Sequence, residues 1–203
     1  MILLATPASP FARKARVMII ESGLSDQVEV RMFETPEDMK KEIPKFNPLG
    51  KVPALVLDDD SVLFDSKLIC EYLDSLHGGD KWFPKDPDTR WWAQQLHVLA
   101  DGLAEAVITL RMERVMRPEE FIYQPAIDKQ MAKITRALAA LDRDIASLSG
   151  PANIGPLAVA SALGYLDFRM TDYDWQANFP NLAKWNKEFR QRPAMQTTAV
   201  PPV

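Results

Sequence analysis

The sequence predicts an α/β domain followed by an all-helical domain, and three observations carry that prediction. From residue 1 to residue 76, short apolar runs alternate with helix-like segments in the order β-α-β-α-β-β-α. Between residues 77 and 87 the periodicity lapses into Gly78-Gly79, Pro84 and Pro87, a linker composition. Beyond it the apolar residues recur at three- and four-residue steps, the helical period. The expected organisation is therefore a domain at 1–76, a linker at 77–87 and a helical domain at 88–203.

Ile2 to Ala5 is a short apolar run that ends at Thr6-Pro7 and reads as a buried first strand. From about Pro10 to Gly23, Ala12, Ala15, Val17, Ile19 and Ile20 alternate with Arg13, Lys14 and Arg16. This predicts a helix with a solvated basic side, stopped at Gly23. Val28, Val30 and Met32 alternate with Glu29, Arg31 and Phe33 as a second strand. Thr35-Pro36-Glu37-Asp38 is a helix start, with proline in the first turn and acids at the positive dipole end. Val52 to Leu57 is a strand, Asp58-Asp59-Asp60 a turn and Ser61 to Phe64 the antiparallel return. Asp65 or Ser66 caps a third helix on which Ile69, Leu73 and Leu76 share a face. A parallel βαβ start followed by a hairpin and a helix is the thioredoxin topology.

In the second half, Trp92, Leu96, Leu99, Leu103, Val107 and Leu110 mark one long amphipathic helix. Ile127, Met131, Ile134, Leu138, Leu141, Ile145 and Leu148 mark another, expected to lie beside it. Ile154 to Leu166 is apolar almost all round, which predicts a central buried helix. Leu182, Trp185 and Phe189 define a last helix ended by Arg192-Pro193, and Ala199 to Val203 a frayed tail.

Composition limits the function classes. The 203 residues are 47% hydrophobic and 26% charged, an ordinary globular balance. A formal net charge of -4 gives no electrostatic reason to expect nucleic acid or an anionic membrane as partner. No apolar run approaches the roughly 20 residues that span a bilayer. The single cysteine, Cys70, excludes an intrachain disulfide and a CxxC redox pair. It lies among Leu68, Ile69 and Leu73 and reads as buried and structural, as expected in a reducing cytoplasm. His77 and His97 are isolated, so no metal site is expected. Trp91 and Trp92 read as core and subunit packing.

The chemistry-bearing segment is Phe46-Asn-Pro-Leu-Gly-Lys-Val-Pro-Ala-Leu. A proline just inside a strand removes a ladder hydrogen bond. Two readings of Pro53 stand side by side. In one, Val52-Pro53 is cis and turns the Val52 N–H and C=O outward to pair with an extended peptide-like ligand. In the other, Pro53 merely marks an edge strand.

Asn47-Pro-Leu-Gly-Lys-Val-Pro, followed by Phe64-Asp65-Ser66 and preceded by Ser9-Pro10-Phe11-Ala12-Arg13-Lys14, resembles the glutathione-site core of cytosolic glutathione transferases. The resemblance covers the whole chain and points to the small bacterial serine-type members, as does Ala162-Leu-Gly-Tyr-Leu-Asp-Phe-Arg169. It implies a thioredoxin-like domain that binds glutathione and an all-helical C-terminal glutathione transferase domain. It implies that Ser9, besides capping the first helix, donates a hydrogen bond to the glutathione sulfur and stabilises the thiolate. Val52 and Pro53 would hold the cysteinyl backbone, Lys51 the glycyl carboxylate, and Asp65 and Ser66 the γ-glutamyl end, while Phe11 lines the site. The implied reaction is attack of glutathione, as cosubstrate, on an electrophilic small molecule in the cleft between the domains; peroxidase, isomerase and dehalogenase activities remain open. A homodimer is also implied. A rival is a non-catalytic glutathione-binding or protein-interaction module of the same fold. Asp101 and Arg111 could face the cleft or the partner, or be solvated. One departure from the family pattern is Asn153-Ile-Gly-Pro156: Asn153 can cap the buried helix, but Pro156 offers no carboxylate to return the bond.

Overall fold

The computed structural model of the chain describes residues 1–79 and 81–200, so the end of the expected frayed tail lies outside the described residues. It forms two compact units, an α/β unit and a helical unit. The α/β unit contains β1 (Ile2–Ala5), α1 (Pro10–Glu21), β2 (Glu29–Met32), α2 (Pro36–Glu42), β3 (Ala54–Val56), β4 (Val62–Leu63) and α3 (Ser66–Ser75). The predicted order holds throughout. The sheet order is β2-β1-β3-β4, with β2 parallel to β1 and β3 and β4 antiparallel to their neighbours. β3 begins at Ala54, not Val52, because Pro53 has no N–H to give to the ladder.

β1 supplies the buried centre, with Leu3 and Ala5 fully buried and Leu4 nearly so. Leu4, Ile43 and Ala54 form a cluster against which Val52, Phe46 and Met39 pack. On α1, Ala12, Ala15, Val17 and Met18 are all inaccessible.

The basic side of α1 is not solvated. Arg13 and Lys14 are almost wholly buried, and Arg16 is partly so. The residues that cover Arg13 come from the other end of the chain. A further helix, α9 (Pro193–Thr197), packs on α1 within the α/β unit. Arg13 Nη2 donates to the Met195 carbonyl at 2.8 Å, and Arg192 pairs with Glu21 at the far end of α1, Nε to Oε1 at 2.7 Å. Burial lowers the pKa of the Arg16 guanidinium. Pro193, expected to end a helix, opens this one as its first residue, where a missing N–H costs nothing.

The helical unit holds α4 (Pro87–Arg111), α5 (Gln124–Arg143), α6 (Ile154–Arg169), α7 (Trp175–Asn178) and α8 (Pro180–Phe189). As expected, α5 packs on α4, but the more extensive partner of α4 is α6. Ile145 and Leu148 fall beyond the end of α5, in a 3-10 turn. α6 is buried from Ile154 to Leu166, and Asn153 caps it by accepting the Gly155 N–H at 3.0 Å. Trp91 and Trp92, expected in part as core, are 70% and 61% exposed. None of the described helices is long and apolar enough to cross a membrane.

Gly155 sets the distance between α4 and α6. A Cβ there would lie 2.9 Å from Leu96 Cβ and 3.0 Å from the Ala93 carbonyl oxygen. The carbonyl belongs to a helix and cannot swing aside. Gly155→Ala is expected to cost about 1–3 kcal/mol despite its better helix propensity, read as a lowered urea midpoint.

Asp86 caps α4, accepting the Thr89 hydroxyl at 2.7 Å and the Thr89 N–H at 2.9 Å. These bonds hold its carboxyl below the ordinary aspartate value of 3.8. A pKa depressed by folding stabilises above the unfolded value, and that stabilisation is lost as pH falls through the folded value. The advantage of the natural chain over Asp86→Ala in urea midpoint should therefore be constant near neutrality and shrink below about pH 4.

Candidate functional site

Strand register gathers the sequence-predicted residues. Leu4 of β1 lies opposite Ala54 of β3, and Leu55 of β3 opposite Leu63 of β4. Continuing these pairs by two residues or fewer brings the end of β1, the Val52-Pro53 peptide and the Phe64-Asp65 peptide to the same end of the sheet. Ser9 and Phe11 follow directly from β1, and Ser66 from β4. Three segments far apart in sequence thus share one rim of the α/β unit.

Ser9 is half-buried and is the N-cap of α1. Its Oγ accepts the Ala12 N–H at 3.2 Å, and its carbonyl accepts the Arg13 N–H at 3.0 Å. A hydroxyl has one donor and two acceptor sites. The Ser9 O–H proton has no acceptor among the described residues, so capping leaves the donor function open. Phe11 is half-buried, with Lys14 Nζ 5.6 Å from its ring centre.

The Val52-Pro53 bond is cis, the first of the two readings drawn from sequence. The Phe64-Asp65 bond is cis as well, a feature without a sequence signal because neither residue is proline. Val52 is half-buried against the Leu4 cluster. Among the described residues its N–H and C=O have no backbone partner outside the strands.

Asp65 is exposed and caps α3, accepting the Lys67 N–H at 2.9 Å and the Ser66 hydroxyl at 3.3 Å. The Ile69 N–H goes to the Asp65 carbonyl at 3.0 Å. That leaves the Ser66 and Leu68 N–H groups of the first turn open, as a helix start does by geometry. Ser66 is only 2% exposed, and its hydroxyl is turned to Asp65 instead of standing free. Lys51 is exposed, with no ion pair among the described residues.

Sequence reasoning quoted Asn47 but gave it no role. It is 3% exposed and builds the loop before Val52. Its Nδ2 donates to the Lys51 carbonyl at 2.7 Å and its Oδ1 accepts the Leu49 N–H at 3.0 Å. Gly50, at φ +63°, completes the turn. The Asn-Pro-x-Gly spacing was the available signal, since asparagine side chains mimic a backbone turn.

Models of two domain families cover most of this architecture. The Glutathione S-transferase N-terminal domain matches residues 8–76, and the Glutathione S-transferase C-terminal domain matches residues 124–187. The chain belongs to the glutathione S-transferase family. Over 202 residues this glutathione S-transferase-family chain is 30% identical to the GST-like protein YibF of Escherichia coli (strain K12), covering 98% of each. A glutathione transferase family member from Pseudomonas fluorescens Pf-5, solved with bound glutathione, is 41% identical; the match has a TM-score of 0.94 and covers 100% of this chain and 99% of that one. A structure of a family member from the same organism with bound S-(propanoic acid)-glutathione is 40% identical, at a TM-score of 0.90 and full coverage of both chains.

Two further residues weighed from the sequence lie in the helical unit. Asp101 is 8% exposed and its Oδ2 is 3.4 Å from Nε2 of His97, itself fully buried. Arg111 is half-buried at the end of α4.

Proposed function

We propose that this chain binds glutathione at the rim formed by Ser9, Val52-Pro53 and Asp65-Ser66 and activates its thiol as a thiolate for attack on an electrophilic small molecule. The observation that carries this reading is the Ser9 hydroxyl, which caps α1 through its oxygen yet keeps its proton to donate. A free thiol has a pKa of about 8.5 and is mostly protonated at neutral pH. A donated hydrogen bond, beside the positive end of a twelve-residue helix, favours the charged form. No general base is needed, because the nucleophile belongs to the cosubstrate and the protein supplies orientation and electrostatics.

The remaining roles follow from chemistry at the same rim. Val52 offers its N–H and C=O to an extended peptide, in the manner of an added strand. The open N–H groups of α3 suit a carboxylate, and the exposed Asp65 an ammonium group. Lys51 suits a second carboxylate, and Phe11 an apolar wall. Glutathione carries two carboxylates, one ammonium group and an extended cysteinyl backbone, which matches this set. The bound glutathione of the Pseudomonas relative supports the reading, and its S-(propanoic acid) conjugate is what thiolate addition to an unsaturated acid would leave. A glutathione-dependent reaction suits the reducing cytoplasm.

The test is the ultraviolet thiolate absorbance of bound glutathione, titrated against pH. The natural chain should show thiolate well below the free thiol's pKa. In Ser9→Ala the apparent pKa should rise by about one unit or more, and conjugation should fall by about ten- to a hundredfold, the equivalent of a charge-assisted hydrogen bond of about 1.5–3 kcal/mol. Unchanged turnover would remove Ser9 from the role. Glutathione that binds and remains a thiol would favour the non-catalytic module.

A homodimer forms part of the proposal. Val98 is 57% exposed on α4 and, with Leu99, Gly102 and Leu103, lines a groove with Lys133, Arg136 and Ala137 of α5; Trp92 is exposed on the same helix. The exposed apolar side chains of Val98 and Trp92 favour an interaction face on this helix. Sedimentation at micromolar concentration should give twice the chain mass, and Val98→Glu should give monomer. A natural chain that stays monomeric would remove the dimer.

A further inference from the structure

The ends of α4 and α6 enclose a second feature, wholly inside the helical unit. It is a cleft of about 280 Å³ walled by Arg111, Arg114, Arg169 and the carboxylate of Asp172, with Leu110 and Met170 among its apolar lining. We propose that this cleft binds a small organic monocarboxylate whose apolar body lies on Leu110 and Met170 and whose carboxylate is taken by Arg111 and Arg169.

Three observations carry the assignment. First, the positive charge is in surplus. Arg114 pairs with Asp172 at 3.1 Å, but Arg111 has no ion pair among the described residues. Second, Arg169 is held as a binding arginine is held. Its guanidinium carbon lies 4.1 Å from the centre of the Phe168 ring and 5.6 Å from that of Tyr165, within cation–π range of both. Its Nε is buried with no hydrogen-bond partner among the described residues, an expense normally offset by a ligand or water. Third, the floor is apolar and the volume lies just below the range of about 300–1,000 Å³ typical of drug-sized sites, which suits a small acid.

The plainer reading is that Arg111 and Arg169 complement the negative ends of their helices, since each stands in a last turn. Magnitudes weigh against that as the whole account. Two helix ends supply roughly -0.5 each, and Asp172 supplies one further negative charge. Three arginines therefore leave a surplus of roughly one positive charge, the complement of a monoanion.

Binding of the acid stands on the cleft alone; its use as a holding site for an acidic acceptor rests on the transferase reading above. The test is calorimetric titration of the full chain, without glutathione, using benzoate, benzamide and inorganic phosphate as probes. Benzoate is expected to bind at least tenfold more tightly than benzamide, which has the same shape without the charge, and more tightly than phosphate, which lacks the apolar body. Arg111→Gln should bring benzoate and benzamide within about twofold, whereas Arg111→Lys should keep most of the preference. Equal binding of benzoate and benzamide, phosphate binding as tight as benzoate, or an undiminished preference in Arg111→Gln would overturn the proposal. Glutathione affinity, measured separately, distinguishes the two readings. A natural chain that shows no benzoate preference yet binds glutathione removes the cleft and spares the transferase reading, and one that prefers benzoate but does not bind glutathione does the opposite.

Discussion

The α/β unit depends on one pairing, that of β3 with the central strand β1. Leu4 opposite Ala54 fixes which face of the sheet each residue of β3 packs on, and a slip by one residue would exchange the faces of Ala54 and Leu55, both fully buried. The same register decides where the loops emerge. β1 ends beside the start of β3, and β4 ends beside it from the other side. The Ser9 cap, the Val52-Pro53 peptide and the Asp65 cap therefore meet at one rim without any direct bond between them. A packing constraint in the sheet thus becomes a chemical constraint at its end.

The charged side of α1 shows how such a frame is closed. A helix bearing Arg13, Lys14 and Arg16 ought to turn that side to water, and here Arg13 meets the end of its own chain. Arg13 bonds the Met195 carbonyl, and Glu21 bonds Arg192, so both ends of α1 are tied to the α9 segment. A buried arginine is tolerated when its donors are satisfied and its long stem lies on apolar surface. The helix whose start carries Ser9 is thereby held along its length, which favours a fixed position for the hydroxyl.

In the helical unit the corresponding device is the absence of a side chain. Gly155 lets α6 approach α4 to within contact of the Ala93 carbonyl. The apolar surface of α6 from Ile154 to Leu166 is then fully covered, and Asn153 supplies the cap that Pro156 cannot complete. The helix ends that result bring Arg169 beside Arg111 and Arg114, from which it is separated by tens of residues in the chain.

Much of this was legible in the sequence. The order of strands and helices followed from period, caps and prolines, because these are local effects. The family core was legible in Asn47 to Pro53 and Phe64 to Ser66, since turn chemistry at those positions restricts residue choice. Local signals could not show that Arg13 and Lys14 are buried, that Trp91 and Trp92 are exposed, or that Pro193 begins a helix. Each of those depends on which distant segment arrives to cover or abandon a surface. By itself the sequence determined the elements from β1 to α6 and α8, the cap of α1 and the identity of the rim residues, but not α7 or α9. Tertiary structure alone decided that they share one rim, that α9 closes α1 and that three arginines wall one cleft, because burial and electrostatic pairing are properties of neighbours in space.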